Sequence, residues 1–304
     1  MIADALLPAS PVLTPEDIVR AVKHLPTAPM VLPRLKQLLC DGNSAMHEIV
    51  ALIRFDPGIA ARVLQVANSA YFAKGVRCFT VDEAVNRVGY DQIYELVSNA
   101  VASQVLVRSL DVYGIEADDL WAMSVAGAIA AELLADRTGQ DRNAAYTVGL
   151  LHCVGMVAID EWALRHMRAL VLHRGTFPRE ATEGERAALG FTQAEAGGAL
   201  LRDWGFPAPI ADPVRWQYAP CASASHARMA TLLHAAKWLR NAVCGQRPPL
   251  PEPAQLAPLR LAPATLPAVA TDVAERFARV SSLLEGAATA LTERHRFPAQ
   301  SWGR

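Results

Sequence analysis

Apolar positions in this chain recur at steps of three and four residues almost throughout, and no stretch of useful length alternates strictly, so the pattern predicts helices rather than strands. Val31, Leu32, Leu35, Leu38 and Leu39 form one stripe that ends at Asp41-Gly42-Asn43. A helix over about residues 47–55, a break at Asp56-Pro57 and a helix through Ile59, Val63, Leu64 and Ala67 follow; residues 82–110 hold one or two more. A second group runs from Leu120 to Gly139, then from Ala144 through Gly155 to about His173 as one apolar helix, then through "EAGGALLRDWG" and "ARMATLLHAAKWLRNAVCG". Ala126, Gly127, Ala130 and Ala131 let helices approach closely.

Start signals agree with this reading. Thr14 precedes Pro15, and the pairs Thr80/Glu83 and Thr182/Glu185 have capping-box spacing, predicting three helix N-termini. From Gln246 to Pro267 proline is so frequent that the segment reads as a stiff connector outside the core. Beyond it, Val273, Phe277, Val280, Leu284, Ala287 and Leu291 alternate steps of four and three, as in a helix docked on its own domain.

Charge narrows the function classes. Net charge is -1, from 29 basic and 30 acidic residues, which lacks the surplus that holds a phosphate backbone. Five scattered cysteines without a CxxC pair point away from a disulfide framework or structural zinc, and toward a reducing cytoplasm. No signal peptide is read at "MIADALLPAS", and the apolar run Ala144 to Ile159 is too short to span a bilayer, so no membrane role is expected.

The segments "LPTAPMVLPRLKQLL", "LIRFDPGIAARVLQVANSAYF" and "TVDEAVNRVGYDQIYELV", followed by "LWAMSVAGAIAAELLADRTG", "AAYTVGLLHCVG" and "GERAALGFTQAEAGGALLRDWGFPAPI", resemble the HDOD family, a bacterial signalling domain related to HD phosphohydrolases. The resemblance implies an all-α bundle of two packed subdomains, the second HD-phosphohydrolase-like. Its boundaries are a tail at 1–17, an HDOD domain at 18–245 divided into 18–112 and 113–245, and a connector with a terminal helix at 246–304.

HD phosphohydrolases use His and Asp side chains to hold metals that generate a hydroxide nucleophile. The resemblance sets Met123 at the first His, His152-Cys153 at the central His-Asp pair, Gln193 at a further His, Gln217-Tyr218 at a His pair and Lys237 at the closing Asp. Only His152 is kept. A single imidazole does not hold a hard divalent cation, so no metal or other cofactor and no catalytic residue is expected. Cys153 reads as an inert core residue filling the place of an Asp on an apolar helix surface.

The expected function is a non-catalytic regulatory and protein-interaction module in bacterial signal transduction, with receiver, diguanylate cyclase or phosphodiesterase proteins as partners. Two alternatives stand beside it: a phosphohydrolase or cyclic-nucleotide phosphodiesterase with rearranged ligands, and a nucleic-acid adaptor suggested by Arg202, Arg215, Arg228 and Arg240. Partner binding is expected in the N-terminal half, at "HLPTAP" and at Tyr71 and Phe72.

Overall fold

A computed structural model describes residues 13–22, 31, 34, 35, 38, 44–73, 75–102, 109–168, 170–172, 178–246 and 248–294. These residues are helical with no strand; a lone bridge pairs Leu110 with Ile115. "HLPTAP" and much of the expected helix over 31–39 lie outside them, although Val31, Leu35 and Leu38 are buried as their stripe predicts.

The first helices are α1 (Pro15–Ala21), α2 (Met46–Ile53), α3 (Pro57–Ala67), α4 (Val81–Val88) and α5 (Tyr90–Ala102). Their starts follow local chemistry. Thr14 and Asp17 close a capping box, the Asp56 carboxylate accepts from the Ile59 amide at 2.8 Å ahead of Pro57, and Thr80 accepts from Glu83 at 3.1 Å. The third expected cap is absent: Thr182 lies inside a helix that already begins at Pro178, and Glu185 accepts from the Gln193 backbone amide instead.

The second half holds α6 (Ala117–Thr138), α7 (Arg142–Leu151), α8 (Val154–Arg165), α9 (Pro178–Leu189), α10 (Gln193–Asp203), α11 (Ala208–Arg215) and α12 (Ala227–Val243). Helices α6 and α7 lie against each other at Gly127 and Gly149; a Cβ on Gly149 would sit 2.5 Å from the Gly127 oxygen and 2.7 Å from the Ala128 Cα. The stretch expected as one helix through Gly155 is two, broken at His152-Cys153, and α8 stops at Arg165 with Met167 at φ 47°, short of His173. The segment Arg142–Arg165 is long and apolar enough to cross a membrane, but 83% of its most apolar window is buried, as a core segment would be.

The halves share one contiguous hydrophobic core. Across their junction Trp121 Nε1 donates to the Phe55 carbonyl at 3.0 Å, Tyr146 to that of Arg54 at 2.9 Å and Thr147 to that of Phe79 at 2.8 Å. Helix α1, grouped by sequence with the N-terminal half, packs on α8 and α10 of the second.

The last helix, α13 (Leu266–Arg294), packs on α6 and α12. The proline-rich segment before it departs from the expected spacer. It contains short helical turns whose Leu256 and Leu259 are buried beside α12, because proline fixes the turns while each leucine still finds apolar cover.

Candidate functional site

The break between α7 and α8 places His152 and Cys153 on the wall of a cavity of about 240 Å³, bounded by α6, the α7–α8 junction, α10, α12 and α13. Met123, Gln193, Tyr218 and Lys237 line it too, so six of the seven positions picked from sequence meet in one place. Gln217 is buried outside the lining; its Nε2 donates to the His152 carbonyl at 3.1 Å and to that of Val214 at 2.9 Å, which pins the junction.

His152 is wholly buried, and its ring has one consistent tautomer. Nδ1 lies 2.6 Å from the Gly149 carbonyl, which can only accept, so Nδ1 carries the proton. Nε2 then accepts from Arg240 Nη1 at 2.7 Å. Burial, with Arg240 and Lys237 nearby, pushes the His152 pKa well below the usual value and keeps the ring neutral.

Cys153 Sγ lies 3.1 Å from His152 Nε2 and 3.9 Å from Arg240 Nη1, and burial raises its pKa. The residue is buried, but its surroundings are cationic and polar rather than the apolar helix surface expected. The reason is Arg240, one turn after Lys237 on α12. It is one of the arginines that suggest a nucleic-acid adaptor in the sequence, yet it is only 9% exposed. The available signal was the i, i+3 spacing of Lys237 and Arg240 within the mainly apolar stretch Leu232 to Leu239 and its flank.

Lys237 is 6% exposed and its Nζ has no hydrogen-bond partner; it rests 3.5 Å from the centre of the Tyr218 ring. Burial and Arg240 push its pKa well below that of an ordinary lysine. Gln193 Nε2 donates to Tyr218 Oη at 2.9 Å, while its Oε1 is buried without a partner. Beneath them Glu185 accepts from Tyr113 Oη at 3.0 Å and from the Gln193 amide at 2.8 Å.

The metal that the resemblance to HD phosphohydrolases implies does not fit these residues. The cavity presents one imidazole with both nitrogens engaged, two thiols whose pKa values burial raises, the amides of Gln193, Asn241 and Gln246, the Tyr218 phenol and two basic side chains, with Asp119 exposed at its rim. No group of three or more His, Cys, Asp or Glu is placed to hold a metal among the described residues. His234 faces elsewhere, on the Gln217 carbonyl at 3.0 Å, and His166 bonds the Trp162 carbonyl; His173 lies outside the described residues.

The sequence matches the HDOD domain over residues 25–220. The chain belongs to the HDOD family. An uncharacterized protein from Treponema pallidum is 27% identical over 206 residues, which are 66% of this chain and 39% of that protein, so the chain spans well under half of that relative's length. Among solved structures, the MmoQ response regulator from Methylococcus capsulatus superposes with a TM-score of 0.67 at 21% identity, covering 82% of this chain and 99% of that one. A virulence factor from Campylobacter jejuni gives 0.64 at 18% identity, over 86% and 96%. Both share the fold of this HDOD chain.

The remaining sequence candidates lie apart from the cavity. Tyr71 is 80% exposed and packs edge-on against the half-buried Phe72 at 4.7 Å. Of the scattered arginines, Arg202 pairs with Asp212 at 2.6 Å, Arg228 bonds the Thr138 carbonyl at 2.9 Å and Arg215 covers Trp216, so they do not form a free basic stripe.

Proposed function

We propose that this HDOD chain is a non-catalytic regulatory module of bacterial signal transduction, working in the cytoplasm through contacts with other signalling proteins. The observation that carries the reading is the pair Lys237 and Arg240 inside the cavity where HD enzymes hold cations. The Arg240 guanidinium in this buried space repels divalent ions, and the neutral His152 is already spent on it. The name of the similar MmoQ protein, a response regulator, suits a signalling role. Receiver, diguanylate cyclase or phosphodiesterase proteins are the partner classes, with exposed Tyr71 and neighbouring Phe72 as the contact.

Elemental analysis and turnover assays test this directly. The purified 304-residue protein is expected to carry no stoichiometric Mn, Fe or Zn and to leave cyclic dinucleotides and simple phosphodiesters intact in their presence. Metal-dependent hydrolysis that His152→Ala abolishes would overturn the reading.

A further inference from the structure

Nζ of Lys237 is a buried donor with no hydrogen-bond acceptor, at the wall of a cavity large enough for far more than one water. Leaving such a donor unmatched is costly, whereas an acceptor placed in the cavity would recover that energy. Next to it Arg240 is held in place by His152 at one end and by Asn241, whose Oδ1 accepts from Nε at 3.0 Å and Nη2 at 2.6 Å. The charge is therefore pre-positioned. The buried end of the cavity is cationic, while its outer wall is apolar, formed by half-buried Met123, Val243 and Phe277.

We infer that this cavity binds a small organic ligand bearing an oxyanion, a phosphate or a carboxylate, which enters anion first toward Lys237 and Arg240 and rests its apolar body on Phe277. Binding of this kind goes beyond the regulatory reading and holds whether or not the chain turns anything over. The charge-assisted bond to Nζ supplies the orientation, and α13, which carries Phe277, is the element that would sense occupancy.

The inference also sets a direction with pH. The groups around Nζ are Arg240 on the same helix, Tyr218, His152, Cys153, Glu185 and, at the rim, Asp119. Burial and Arg240 lower the Lys237 pKa in the free protein; a bound anion favours its charged form, so binding raises that pKa and tightens as pH falls.

The 304-residue protein is titrated calorimetrically with inorganic phosphate, adenosine monophosphate and benzoate, with sodium chloride matched for ionic strength. Saturable binding of at least one probe is expected, and the three separate a bare anion from one with an aromatic body and a phosphate from a carboxylate. Lys237→Met should weaken that binding by about 10- to 100-fold, the loss of one charge-assisted hydrogen bond, while remaining folded by circular dichroism. Phe277→Ala should weaken adenosine monophosphate or benzoate and spare phosphate. Absence of saturable binding by all three, or equal binding by Lys237→Met, overturns the inference. Chromatography of the probes afterwards reads turnover separately: a hydrolysed probe would count against the regulatory reading without touching this one.

Discussion

Glu185 shows how one side chain sets a pH response. It is 1% exposed, and burial raises its pKa from 4.5 to about 7 despite hydrogen bonds from Tyr113 and the Gln193 amide and a nearby Lys237. Because the folded value lies above the unfolded one, the folded state binds more protons between them. The stability contribution of Glu185 is thus complete below the unfolded value and is lost as pH rises through about 7. Glu185→Gln should keep both contacts, with Oε1 facing the Gln193 amide and Nε2 donating to Tyr113, whose hydroxyl reverses to accept. Urea unfolding is expected to show a pH dependence flatter in this window by up to roughly 2–3 kcal/mol. Residue identity alone did not reveal this: Thr182 and Glu185 have the spacing of a capping box, and only the packing of α9 on Tyr113 turns the carboxylate inward. The same holds for Arg240, whose burial depends on His152 arriving from a distant helix junction.

At the scale of elements, glycines decide how the helices that carry the site meet. A Cβ on Gly155 would overlap the Gln193 carbonyl where α8 crosses α10, and one on Gly127 would lie 2.8 Å from His152 Cε1. Backbone cannot yield as a flexible side chain can, so Gly155→Ala is expected to cost about 3 kcal/mol or more. Gly184, exposed on α9 with nothing within 4 Å of a Cβ there, is the control: Gly184→Ala should be neutral or stabilise by up to about 1 kcal/mol. Paired thermal melts check both signs. Helix existence was legible from period and caps; the break at His152-Cys153 was not, since the apolar run continues unbroken through it and only the crossing with α10 gives it a place to bend.

For the whole molecule, the C-terminal region is part of the bundle. Leu256, Leu259, Leu266, Val269, Val273 and Leu284 are buried, and at roughly 1.5–3 kcal/mol each as an upper figure their loss rivals the ~5–15 kcal/mol that holds a typical domain together. Arg137 with Asp272 at 2.6 Å and Arg276 with Glu132 at 3.2 Å fix where α13 sits, though half-exposed pairs add little energy. A chain ending at residue 245 should therefore lose cooperative unfolding and near-ultraviolet circular dichroism; a sharp native-like melt would show that the connector and α13 are dispensable. By itself the sequence determined the helical class, the caps at Thr14 and Thr80 and the HDOD membership, because periodicity, capping and residue chemistry are local properties written in order along the chain. Only the tertiary structure decided that Lys237 and Arg240 face His152 in a cavity roofed by Phe277, since the sign and burial of a charge depend on which distant surfaces close over it.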